Sequence, residues 1–252
     1  MIREASHHPS TVRHVPRRWS TGLAILTLGA VACGRDTTLT VRAGDRPANP
    51  DPATSPAQAG AHSLLAAGVA IDRLQIVLRN FRLQTSQNTA GTPSPDDARI
   101  GPAIVLVDLT GPQLEPGAMT EIVPAELVRW ASFYQSVITL SPASQDEVAA
   151  NPALAPLLGR TLVITGRVPG GAPFTYESSV AAVLVRPATY RMGLNHNNVT
   201  INIAPNMWFQ GPDGEPLDPR DPAVAPTIES NILESIDAYM DDNRDGKPDS
   251  LG

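Results

Sequence analysis

The chain holds a single cysteine, Cys33, so no disulfide can form within it and its stability has to come from packing or from a bound ion. Lysine is almost missing: Lys247 is the only one. Residues 1–32 carry Arg3, Arg13, Arg17 and Arg18 against Glu4, a net +3, which leaves −9 on the remainder of a chain whose total is −6. An acidic body of this kind has no electrostatic footprint for nucleic acid. Aromatic residues make up 4%, low for a surface that stacks sugars or bases. No apolar run approaches the roughly 20 residues that a membrane-spanning helix needs. The sequence also lacks a Gly-x-Ser-x-Gly elbow, a His-Glu-x-x-His pair, a phosphate loop and a dinucleotide fingerprint. Beyond residue 32 only His62 and His196 could supply an imidazole, and His196 lies in an Asn-rich turn.

What is present begins with an address. Gly22–Ala32 is a short apolar run behind a basic start, and small Ala30 and Ala32 stand directly before Cys33. That order of charge, apolar stretch and small residues is a secretory signal. Ala30-Val31-Ala32-Cys33 resembles the lipobox of bacterial lipoproteins, with Ala30 where Leu is more usual. The resemblance implies a diacylglyceryl group on the Cys33 sulfur, cleavage before Cys33 and a membrane-lipid partner. Anchoring by two or three acyl chains is stable, at about 0.8 kcal/mol per buried methylene. Gly34 and Arg35 follow in place of Asp, which resembles the signal for outer-membrane sorting in enteric bacteria. The expected location is the cell envelope, on its periplasmic or surface side.

The chain's twenty-five prolines and nineteen glycines, most of them beyond residue 32, cut it into short segments. Residues 33–61 are rich in Pro, Ala, Thr and Asp and poor in large apolar groups, which predicts a disordered tether. Residues 62–225 read as one β-domain. Val69–Gln84 and Ile104–Thr110 are strand-like, with Leu74, Ile76 and Leu78 on one face, and Leu127–Leu140 alternates apolar and polar residues. Residues 144–158 suggest one short helix with Ser144 as N-cap and Glu147 completing a capping box. Arg160–Val168 and Phe174–Ser178 flank Pro169-Gly-Gly-Ala-Pro173, a hairpin in which Gly170 and Gly171 take positive φ. Val180–Val185 and Asn198–Ile203 add two strands. Short strands without long intervening helices predict a single antiparallel β-sandwich.

Val107-Asp108-Leu109-Thr110-Gly111, the stretch from Gly166 to Phe174-Thr175-Tyr176, and Val199–Ile203 with Trp208-Phe209 together resemble uncharacterised bacterial lipoproteins with a transthyretin-like or immunoglobulin-like β-sandwich. The similarity spans roughly residues 64–240 and implies a fold without an activity.

Residues 226–252 carry the most pointed chemistry. Ile228, Ile232, Ile236 and Met240 lie four apart, the pattern of an amphipathic helix over 227–240 with Thr227 as N-cap. Asp241, Asn243, Asp245, Lys247 (through its carbonyl) and Asp249 then fall at alternate positions, with Gly246 sixth. Calcium takes six to eight oxygens from such loops. The segment resembles an EF-hand loop and, more closely, a thrombospondin type 3 repeat; it departs from the EF-hand at the twelfth position, where Gly252 stands in place of Glu. One weak calcium ion is the implied cofactor.

The expectation is therefore a non-enzymatic, lipid-anchored binding or structural module of the envelope. Two alternatives stand beside it: an envelope hydrolase using paired carboxylates among Asp108, Glu121 and Glu177, and a carbohydrate or solute carrier with Trp130 and Trp208 as a platform. The partner in the envelope, protein or carbohydrate, is not identified by any motif.

Overall fold

The computed structural model describes residues 37–44, 65–66, 68–88, 90–115, 117–123, 131–193 and 197–249. Cys33, His62, Trp130 and His196 lie outside them. The chain divides between Cys33 and Gly34, and everything below belongs to the second unit, Gly34–Gly252. Among the described residues no helix is long and apolar enough to cross a membrane.

The protein is mainly β. Its strands are β1 Thr38–Ala43, β2 Leu65–Ala66, β3 Val69–Gln84, β4 Ala98–Arg99, β5 Ile104–Thr110, β6 Thr120–Val123, β7 Ala131–Leu140, β8 Leu162–Arg167, β9 Pro173–Ser178, β10 Ala182–Met192, β11 Asn198–Ile203 and β12 Ile236–Met240. Among the described residues two helices, α1 Gln145–Ala150 and α2 Ala225–Ser235, accompany short 3-10 turns.

The strands form two sheets. The smaller has the order β12-β11-β1-β6, and the larger runs β10-β7-β3-β8-β9, with β2, β4 and β5 also on β3. β3 is the spine of the larger sheet. One of its edges is filled by β4 and β5, the other first by β8 and then by β7. Asn80, at φ +50, marks a bulge where the register against β7 shifts, and Asn tolerates that left-handed conformation better than most residues.

Alternation explains the packing. Leu74, Ile76 and Leu78 of β3 enter the main core together with Leu39 and Val41 of β1, Val199, Ile201 and Ile203 of β11, and Ile236, Ala238 and Met240 of β12. Val77 points the other way, into a second cluster with Ala143, Leu154, Leu157 and Val163. That cluster is the underside of the excursion between β7 and β8. Arg79 ties it down: its guanidinium pairs with Glu147, donates to the Pro142 carbonyl at 2.8 Å and holds Glu147 near 2.

The hairpin forms as its sequence predicts, β8 on β9 with Gly170 at φ +90 and Gly171 at φ +86. So does the Ser144–Glu147 capping box. The helix expected over 144–158 instead splits into α1 and a 3-10 turn, Pro152–Leu157, because Pro152 and Pro156 cannot continue an α-helical ladder.

Three expectations need correction. Residues 33–61 are not a tether throughout: Thr38–Ala43 is β1, flanked by β11 and β6, with Leu39 and Val41 wholly buried. The short alternation Leu39-Thr-Val-Arg-Ala43 supplies one apolar face, sufficient once neighbours exist on both edges. Second, the smaller sheet is not purely antiparallel, since β1 and β11 run parallel, Thr38 opposite Asn198 through Ala43 opposite Ile203. Third, the helix expected over 227–240 ends at Ser235, and Ile236–Met240 becomes β12 against β11. It also starts earlier: its N-cap is Val224, not Thr227, after a 3-10 turn in which the Asp221 side chain accepts the Ala223 N–H at 2.9 Å. The C-terminal segment is thus an integral edge of the sheet.

Candidate functional site

The smaller sheet has an unusual second face. Opposite the aliphatic side, β1 presents Thr38, Thr40 and Arg42, β11 presents Asn198, Thr200 and Asn202, and β12 presents Asp237 and Tyr239. Thr40, Asn198, Thr200 and Asn202 are all buried. Buried polar groups have to be hydrogen-bonded. Here Thr40 and Thr200 hydroxyls meet at 2.7 Å, and the Asn198 amide donates to Thr40 Oγ1 at 3.2 Å and to the Asp241 carbonyl at 2.6 Å.

The cover over this face is the acidic loop 241–249. Asp241 is fully buried, and its carboxylate accepts from the Thr200 hydroxyl at 3.1 Å, the Asp245 N–H at 3.0 Å and the Gly246 N–H at 3.1 Å. Burial raises its pKa, these hydrogen bonds lower it, and the neighbouring Asp245 charge raises it again; burial dominates. Gly246 is the second fixed point. Its carbonyl accepts from the Arg42 guanidinium and from the Tyr239 hydroxyl at 2.9 Å. Burial pushes the Tyr239 phenol up to about 12, so it remains a donor. Gly246 sits at φ +78, a left-handed position, and a Cβ there would lie 2.5 Å from Arg42 Nη1.

The loop closes on itself and on the sheet end. Asn243 Oδ1 accepts the Asp245 N–H at 3.0 Å, Asp245 Oδ1 accepts the Lys247 N–H at 2.9 Å, and Asp249 Oδ2 accepts the Asp242 N–H at 2.6 Å. Asp242 Oδ1 accepts the Asn197 and Asn198 N–H groups at 2.7 and 3.0 Å. Arg244 reaches across to Thr38 Oγ1 at 3.1 Å and to Glu121 at 3.5 Å. The five residues singled out from spacing are thus folded together, with Asn243, Asp245 and Lys247 exposed and Asp241 inside. Among the described residues no group of three or more His, Cys, Asp or Glu side chains is arranged to hold a metal ion. Thr200, Arg42 and Tyr239 were missed by sequence reasoning. The one available signal was the Thr/Asn alternation of Asn198-Val-Thr-Ile-Asn-Ile203, which reads as an outward face unless something covers it.

The other candidates separate. Asp108 is held by Arg73 through bonds of 2.8 and 2.5 Å and by Gln75 at 3.0 Å, and the Arg73 hydrogen bond keeps its carboxyl below the usual range. Glu177 pairs with Arg160 at 2.6 Å, and Glu121 with Arg244. A general acid needs a raised pKa and no fixed cation. Trp208 is fully buried, its indole N–H donating to Ser235 Oγ at 2.5 Å, so its faces belong to the core. Compared with protein families, curated proteins and solved structures, the chain matches none.

Proposed function

We propose that this chain is a lipid-anchored module of the bacterial envelope, acylated on Cys33, in which a β-sandwich of the two sheets serves binding or structure rather than catalysis. The observation that carries the reading is the start of the folded body. Three residues lie between Cys33 and buried Thr37, and four steps of at most about 3.5 Å each limit the reach to about 14 Å. The boundary between the two units of the chain also falls at this cysteine. A leader ending here would leave the domain directly on the membrane, without the long tether that composition suggested. The start of β1 adjoins Asn197, Asp242 and Arg244, so that end of the smaller sheet would face the headgroups. The arginine pairing of Asp108, Glu121 and Glu177 favours a binding or structural role over carboxylate hydrolysis. Metabolic labelling with a fatty-acid probe tests the anchor: the wild type takes up label and Cys33→Ala does not, whereas an unlabelled wild type overturns the reading.

A calcium ion held by Asp241, Asn243, Asp245, the Lys247 carbonyl and Asp249 is the second part of the proposal. What favours it is the buried Asp241 carboxylate, whose partners among the described residues are all neutral donors, with the Asp245 charge adding repulsion. A divalent cation would relieve both. Affinity in the range of extracellular modules, about 10⁻⁴–10⁻³ M, is expected. Millimolar calcium should raise the melting temperature of the wild type and not of Asp245→Asn, a change that keeps the acceptor for the Lys247 N–H. Equal responses would remove the ion and leave the loop as a hydrogen-bonded clasp.

A further inference from the structure

At the opposite sheet, β3 and β4 place Arg82 directly across from Arg99. Paired residues of an antiparallel ladder project to the same face with Cβ atoms about 4.5–5.5 Å apart, and like charges there repel. Their chain neighbours Phe81, Leu83 and Ile100 point the other way, into the core. The two guanidiniums therefore share the outer face, in a chain whose net charge is −6.

The same face carries an open cleft of about 410 Å³ lined by Asn80, Arg82, Pro93, Ser94, Asp97 and Arg99. Its wall is fixed by a buried amide network. Asp97 Oδ2 accepts from Gln84 Nε2 at 2.7 Å and from the Ser94 N–H at 2.8 Å, and Gln84 Oε1 accepts from Gln135 Nε2 at 2.5 Å. Arg82 donates to the Gly91 carbonyl and lies 3.7 Å from Asp97 Oδ2.

Two atoms in this wall are left over. Arg82 Nε and Asp97 Oδ1 are buried without a hydrogen-bond partner, on side chains only 15% and 6% exposed. An unmet buried polar atom is costly, more so on a charged group. Arg99, in contrast, is exposed and has no carboxylate partner among the described residues. Asp97, the one carboxylate among the residues lining the cleft, thus lies beside Arg82 alone and leaves Arg99 unneutralised, and a guanidinium fork matches the geometry of an oxyanion.

We propose that the Arg82–Arg99 cleft binds a small oxyanion, a carboxylate or phosphoryl group, on a molecule that also carries a hydroxyl or ammonium donor. The oxyanion sits between the two guanidiniums and offsets their repulsion. The donor serves the free oxygen of Asp97. Neither the acyl anchor nor the acidic loop enters this site, so it stands or falls independently of both.

Isothermal titration of the purified full chain, at constant ionic strength, tests it with inorganic phosphate and with malate as the two probes. At least one should bind saturably, and the tighter of the two identifies the anion class. Arg99→Ala should weaken that binding about tenfold or more, the loss of about 1.4 kcal/mol, and Arg99→Lys less. Because Arg99 is exposed, its variants should keep the wild-type melting temperature, which separates lost binding from lost fold. No saturable heat with either probe, or equal affinity in wild type and Arg99→Ala, overturns the proposal.

Discussion

Replacing Gly246 with alanine probes whether the C-terminal loop is clamped to the sheet or merely follows it. Two costs are expected. The left-handed backbone, φ +78, is unfavourable for alanine by roughly 1–2 kcal/mol. In addition the new Cβ would lie 2.5 Å from Arg42 Nη1, so the guanidinium has to leave the Gly246 carbonyl. A hydrogen bond to a charged group contributes about 1.5–3 kcal/mol. Gly214 is a matched control: its φ is +81, yet a Cβ there would meet nothing within 4 Å. Gly214→Ala should therefore show only the backbone cost, and Gly246→Ala about 2 kcal/mol more. For a domain of this size 1 kcal/mol is about 2–4 °C, which makes the difference about 4–8 °C in thermal unfolding followed by circular dichroism. A double-mutant cycle isolates the second cost, because in an Arg42→Met background Gly246→Ala should fall to the level of Gly214→Ala. If the two glycine variants melt within about 2 °C of each other in the wild-type background, the clamp does not exist.

Acid should loosen the excursion between β7 and β8. Glu147 titrates near 2 in the fold, below its ordinary 4.5, chiefly through the Arg79 hydrogen bond, so its contribution is present above the ordinary value and is lost as pH falls toward 2. Glu147→Gln should be less stable than wild type at neutral pH, and the gap should close over that window; a pH-independent gap in melting temperature would contradict it. Asp241 has the opposite sign. Its folded pKa is raised by burial, so its contribution is greatest below the ordinary value of 3.8 and is lost as pH rises through the folded one. Relative to Asp241→Asn the wild type should gain stability on acidification from neutral pH, and a loss would refute that account of the buried carboxylate.

Much of the larger sheet could be read locally. β3 and β5 carry alternating apolar residues, Leu74, Ile76 and Leu78 in one and Val105, Val107 and Leu109 in the other, and the Pro-Gly-Gly-Ala-Pro turn fixes the β8–β9 hairpin by its own conformational needs. The smaller sheet could not be read this way, because its strands depend on partners distant in sequence. Thr38–Ala43 is polar at every second residue and lies in a proline-rich stretch, so only the neighbours β11 and β6 reveal it as a strand. Ile236 and Met240 fit a helix with Ile228 and Ile232, and they equally fit a strand with Ala238. Pairing with β11 decides between the two. The loop's acidic spacing was visible, but its anchors, Thr200, Arg42 and Tyr239, come from three different strands. No local pattern in the chain links them.

Amide hydrogen exchange along β1 is the most direct measurement of the central claim, that the folded body starts within a few residues of Cys33. The account predicts that the amides of Leu39–Ala43 are protected as strongly as those of Val199–Ile203 beside them. Exchange of Leu39–Ala43 at the rate of an unstructured peptide, with Val199–Ile203 still protected, would contradict it.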